Sequence, residues 1–169
     1  MAAASGEFIA CLDADDWVDP QYVEEALRVF DDPEVVVALP FCHTFGDVTG
    51  EQPNAPEVGL VDAIRGSGIF PVSVFRRARW DEIGGFYEGE RAAQEDWEHW
   101  TRGLRDGGVA RRVHSAVVHW RIRPGSRSSS VSLRATRQAM VDLNRGHERP
   151  MLLAALGGTR SGRGEDQSP

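Results

Sequence analysis

Lysine is absent from all 169 residues, and the 19 basic side chains are all arginine. That excludes Schiff-base chemistry at a lysine amine and leaves phosphate recognition to guanidinium forks or backbone N–H groups. Cysteine is scarce too. Cys11 and Cys42 cannot build a disulfide framework, and they fit a reducing, cytoplasmic setting. No apolar run approaches the roughly 18–20 residues of a membrane span, so any membrane association is expected to be peripheral. The first six residues have neither the charged nor the long apolar stretch of a signal peptide. Positive charge is in deficit: 19 Lys+Arg stand against 26 Asp+Glu, for a net charge of −7, which argues against a nucleic-acid partner. What remains is an ordinary globular composition, 41% hydrophobic and 27% charged, in a chain long enough for one domain.

Alternating strand and helix signals predict an α/β fold. The apolar run at 8–12 reads as a short buried strand, and Asp13, Asp15 and Asp16 follow it. Asp19 as N-cap, Pro20 at the first helical position, and Val23, Ala26, Leu27 and Phe30 at helical spacing predict a helix. Residues 35–41 predict a second strand. Residues 43–70 read as a long loop with a short helix at 60–65. A strand at 72–75, a helix at 79–83 closed by Gly84-Gly85, and a helix at 94–106 stopped by Gly107-Gly108 come next. Two short strands (109–113 and 117–120) and a helix over 133–144 complete the order. Residues 1–156 read as one unit and 157–169, rich in Gly, Ser and Arg, as a disordered tail.

In open α/β sheets ligands gather at the carboxyl ends of strands, where the aspartates are expected to sit. Three carboxylates within four residues repel one another and call for positive charge. Mg²⁺ or Mn²⁺, bridging one or two carboxylates to substrate phosphates, is the natural candidate; a solvated acidic turn is the plain alternative. A calcium loop starting at Asp13 fails, because Val18 stands where glycine is required. An aspartyl-phosphate phosphatase would want a small hydroxyl residue where Trp17 stands. The second acidic pair, Glu95-Asp96, opens the Trp-rich helix. A carboxylate there is stabilised by the helix dipole or acts as a general base. Neither Cys42-His43 nor His114/His119 has zinc spacing.

Four blocks, in order, resemble family 2 glycosyltransferases. Residues 6–20, around Asp13-Ala14-Asp15-Asp16, are similar to that family's Asp-x-Asp region. Val74-Phe75-Arg76-Arg77 with Trp80-Asp81-Glu82-Ile83-Gly84-Gly85-Phe86 resembles its acceptor-side segment. Glu95-Asp96-Trp97-Glu98 is similar to its Glu-Asp motif, and His119-Trp120-Arg121-Ile122-Arg123-Pro124-Gly125-Ser126 to its later Tyr-Arg-x-His-x-x-Ser stretch. The resemblance implies a GT-A fold, here a partial α/β/α sandwich with a mixed sheet. It also implies a nucleotide-sugar donor, most simply a UDP-sugar, a divalent Mn²⁺ or Mg²⁺ ion, and inverting hexosyl transfer to a glycan, lipid-linked or protein acceptor, as in polysaccharide biosynthesis.

By the same resemblance Asp15 contacts the metal, Asp13 the sugar or ribose side of the donor, and Asp96 is the base, with Glu95 beside it on the substrate. Arg123 stands where the family often has a histidine. Arg121 and Arg123 either grip the diphosphate in bidentate fashion or are solvated strand-edge residues. Trp17 and Trp80 are expected at the cleft, Trp97 and Trp100 in the core. The nucleotide-binding section that normally precedes the Asp-x-Asp region is missing, so the expectation is a C-terminal portion of the enzyme without its first strands, weakly active or inactive. Two other readings stand beside it, a metal-dependent phosphatase and a non-catalytic fragment.

Overall fold

The computed structural model describes residues 4–52, 55–66, 68–86, 95–125 and 133–143. Seven strands form one mixed sheet: β1 (Phe8–Ile9), β2 (Trp17–Val18), β3 (Val35–Gly46), β4 (Gly50–Glu51), β5 (Glu57–Val58), β6 (Val74–Arg76) and β7 (Val109–Ile122). The main order is β1-β6-β3-β7-β2, with β4 on β3 and β5 on β7. β3 and β7 run parallel and carry most of the pairing; all other ladders are antiparallel. β1, β3 and β7 therefore point the same way; β3 and β7 end together at Gly46 and Ile122, whereas β1 ends level with Val37. Among the described residues the α-helices are α1 (Tyr22–Leu27), α2 (Leu60–Arg65), α3 (Arg77–Ile83), α4 (Glu95–Gly103) and α5 (Leu133–Leu143).

The sheet is covered on both faces, as a parallel core requires. Val37, Leu39, Phe75 and Ala110 pack with α2 and with Trp100 and Leu104. On the other face Ala38, Cys42, Val113 and Val118 pack with Tyr22, Ala26 and Phe30. Trp97 and Trp100 are both buried, as their spacing predicts. Neither cysteine forms a disulfide.

The helix at 60–65 matches its predicted bounds: the Gly59 N–H donates to Asp62 Oδ2 at 3.3 Å. Gly84 ends α3 in the left-handed region at φ 76°. Several expectations need correction. The strands foreseen at 109–113 and 117–120 are one strand, β7, whose register against β3 slips between Val113 and Val117, so the polar His114-Ser115 step is a bulge. β3 runs on to Gly46, with Phe41, His43 and Phe45 held by pairing to β7. Val23 is 55% exposed; α1 turns Tyr22 and Ala26 inward, and the 3-10 turn after it, Arg28–Asp31, turns Phe30 inward. Asp19 does not cap that helix with its side chain; only its carbonyl serves, accepting from the Tyr22 N–H at 2.9 Å. The boundary at 156 and the tail at 157–169 lie outside the described residues.

α4 reaches β7 through Gly107 and Gly108, both at positive φ. A Cβ at Gly108 would lie 2.7 Å from Val36 Cγ1 and 3.1 Å from the Glu34 carbonyl oxygen, whereas Gly107 faces open space. Gly107→Ala should cost only the backbone strain of about 1–2 kcal/mol, and Gly108→Ala measurably more. Urea denaturation of the two variants tests the order.

Candidate functional site

The acidic residues lie on the connection from β1 to β2, against the last residues of β7. After β1 the chain turns, with the Asp16 N–H donating to the Asp13 carbonyl at 3.2 Å. It then enters β2, where Trp17 pairs with His119 and Val18 with Val118 of β7. That pairing holds the acidic turn against the last residues of β7. Asp16 Oδ1 accepts the Arg121 backbone N–H at 2.8 Å. Arg121 Nε donates to the Asp15 carbonyl at 3.3 Å, and its guanidinium lies 4.7 Å from the Phe45 ring centroid. Arg123, just past the strand, pairs with Asp15 Oδ2 at 3.0 Å. Burial raises the Asp16 carboxyl above its ordinary pKa, opposed by the Arg121 backbone hydrogen bond; Asp13 and Asp15 push it the same way as burial.

Asp13, Asp15, Trp17, Arg121 and Arg123 are thus gathered in one region. Arg121 and Arg123 are not both strand residues, because β7 ends at Ile122; they reach the same turn from the strand and from the loop after it. Trp17 is 50% exposed. One side of its ring stacks on His119, with centroids 3.4 Å apart and planes 4° apart. His119 Nε2 lies 2.9 Å from Asp19 Oδ1. Sequence reasoning missed this Asp19–His119–Trp17 assembly. Asp19 and His119 are a hundred residues apart, and nothing local signals their meeting.

Trp80 is held elsewhere. It packs among Phe75, Phe86 and His99, at centroid distances of 6.0, 4.7 and 4.7 Å, beside the helix layer. Glu95 and Asp96 open α4 and are half-buried. The far end of that helix is fixed by Arg79, whose Nε and Nη2 donate to the Gly103 carbonyl. Its middle is fixed by Arg102. That side chain forms a fork to Glu98, both contacts 2.8 Å, and also donates to the carbonyls of Ile83 and Gly85. The Gly-Gly-Phe corner and α4 are therefore one bonded unit.

Among the described residues no group of three His, Cys, Asp or Glu side chains forms a metal cage. The donor set still fits a hard cation that shares its coordination with phosphates, which needs only one or two carboxylates. Asp15 offers oxygen, and its pairing with Arg123 shows that a positive charge already settles there.

Residues 1–97 match the family described as Glycosyl transferase family 2. EpsH of Bacillus subtilis (strain 168), named as a glycosyltransferase, is 44% identical over 47 residues, 28% of this chain and 14% of its own length. S. aureus TarS 1–349 in complex with UDP-GlcNAc superposes with TM-score 0.60 at 19% identity, over 83% of this chain and 44% of that one. The longer S. aureus TarS gives 0.57 at 21% identity, over 73% and 23%. The chain thus spans less than half the length of these relatives. The superpositions show the fold, a mixed α/β sheet of the GT-A kind. No described helix is long and apolar enough to cross a membrane.

Burial pushes the His99 imidazole down to about 4, with Arg102 acting in the same direction. A base with a depressed folded pKa takes up its proton more readily in the unfolded chain. Stability from this group is therefore full above about pH 6.5 and is lost as pH falls toward 4, by about 3 kcal/mol in total. Urea melts at pH 7, 5.5 and 4 should show this loss, and His99→Phe should remove most of it.

Proposed function

The chain belongs to glycosyl transferase family 2, and from that premise we propose that its site transfers a sugar from a nucleoside diphosphate donor to an acceptor hydroxyl with inversion at the anomeric carbon. The observation that carries the reading is the convergence of Arg121 and Arg123 on the Asp13–Asp16 turn at the carboxyl edge of the sheet. Without lysine, the charge of a departing diphosphate needs these guanidinium groups, which suit phosphate oxygens in bidentate geometry. Asp15, with Asp13 toward the sugar or ribose, would hold Mn²⁺ or Mg²⁺. When bound, the ion supplies Lewis-acid neutralisation of the diphosphate. Arg123 then exchanges Asp15 for a phosphate oxygen.

Asp96 is the base of this proposal. As the acceptor oxygen bonds to the anomeric carbon, its proton passes to the Asp96 carboxylate. The bond from that carbon to the diphosphate oxygen breaks, and the nucleoside diphosphate carries off the electron pair. Glu95 sits beside it on the substrate. Trp17 offers its exposed indole surface to the donor side, and Trp80 acts through the packing of the Gly-Gly-Phe corner. A UDP-sugar is the donor of choice, since a similar fold holds UDP-GlcNAc in TarS 1–349. The acceptor is a glycan, a lipid-linked saccharide or a protein hydroxyl, met in the cytoplasm.

Asp96→Asn should lower kcat for UDP release by about 10²–10⁴-fold, the usual share of a general base, and leave UDP binding unchanged in calorimetry. Retained turnover would remove Asp96 from the role. Chelation with EDTA should abolish transfer and Mn²⁺ should restore it. Asp15→Asn should weaken that restoration, and activity indifferent to EDTA would sink the metal assignment.

A further inference from the structure

Among the described residues three half-buried arginines are each held by several partners, and a fourth, more deeply buried, is not. Arg102 forks to Glu98 and two carbonyls, Arg79 reaches the Gly103 carbonyl, Glu82 and Asp106, and Arg111 bridges Asp32 and Glu57. Arg112 is the exception. Its backbone N–H donates to the Pro56 carbonyl, but its side chain, 9% exposed, has Nε and Nη2 buried without a hydrogen-bond partner among the described residues. Burial holds its pKa below the ordinary arginine value, opposed by the Cys42 thiol. That thiol is itself pushed up to about 11, so it brings no negative charge at neutral pH. A buried guanidinium without a counter-charge is costly, and deleting such a charge usually stabilises a protein. The two orphan nitrogens form one side of the guanidinium, the edge that receives two oxygens of a carboxylate or phosphate in parallel.

Register locates this edge relative to the donor region. Leu39 pairs with Arg112, Phe41 with Val117, His43 with His119 and Phe45 with Arg121, so Arg112 and Arg121 lie on one sheet face. Six residues separate Leu39 from Phe45, about 20 Å of strand. A diphosphate held at Arg121 and Arg123 is too short to reach Arg112. Between them lie half-buried Phe41, with His114 at 5.6 Å, and His43, with His119 at 5.6 Å.

We propose that Arg112 is an anion-binding residue of the acceptor half of the site, taking a phosphate or carboxylate carried by the acceptor on its Nε and Nη2 edge. The acceptor assignment rests on the glycosyltransferase reading; the anion site itself does not. The Arg112 Nε–H resonance of the whole protein, followed by NMR, should move saturably on titration with inorganic phosphate or with acetate at constant ionic strength. Movement with phosphate alone assigns a phosphate-bearing acceptor, and movement with acetate alone a carboxylate. A resonance indifferent to both anions overturns the proposal. In thermal melts Arg112→Met should be at least as stable as the parent in chloride and should lose at least half of the stabilisation by the active anion; an undiminished response also overturns it. UDP protection should be equal in the two proteins. Its absence from both would instead strike the donor reading and leave the anion site standing.

Discussion

A covalent constraint sets the position of the acidic turn. β1 and β2 lie at opposite edges of the main strand order, with β6, β3 and β7 between them. Four interstrand steps of about 4.8 Å make roughly 19 Å to cross. The eight residue steps from Ile9 to Trp17 extend to at most about 29 Å. Ile9 lies level with Val37 and Trp17 level with His43, so the segment also advances about 20 Å along β3 as it crosses, which leaves it little slack and brings its end to the last residues of β7. Asp13, Asp15 and Asp16 are therefore delivered to the carboxyl edge by chain length and strand order. No attraction between side chains is needed to bring them there.

Electrostatics then decides how the crossing is held. Asp16 is tied to the Arg121 backbone N–H. Asp15 is tied to the Arg123 side chain, exposed and reversible. Pairs of that second kind add only about 0–1 kcal/mol to stability. The fold loses little when Arg123 lets go. The division of labour between neighbouring aspartates, one structural and one available, follows from which of them meets a backbone donor.

Much of this arrangement was legible in the sequence, and the failures share a cause. The order of elements, the helix at 60–65, the glycine stop after α3 and the burial of Trp97 and Trp100 follow from local pattern. Asp13, Asp15, Arg121 and Arg123 were legible as one region from their blocks. The errors arose where a partner distant in sequence overrode local preference. Asp19 looked like a cap and became the partner of His119. His114-Ser115 looked like the end of a strand and is a bulge within one, because β3 continues the pairing beyond it. The two-residue β2 has no periodicity to detect and exists through β7 alone.

The two tryptophan–histidine pairs show how far residue type depends on placement. Trp17 and Trp80 invited the same expectation, a ring beside a sugar. Trp17 lies on an edge strand, half exposed, stacked on an imidazole that has a carboxylate at its other side. Trp80 follows a strand into the helix layer and meets His99 in an aromatic cluster, where burial keeps the imidazole neutral at physiological pH. The first pair leaves one indole face open beside the acidic turn. The second packs the Gly-Gly-Phe corner against α4. The difference lies in topology, since β2 ends the sheet while β6 runs inside it.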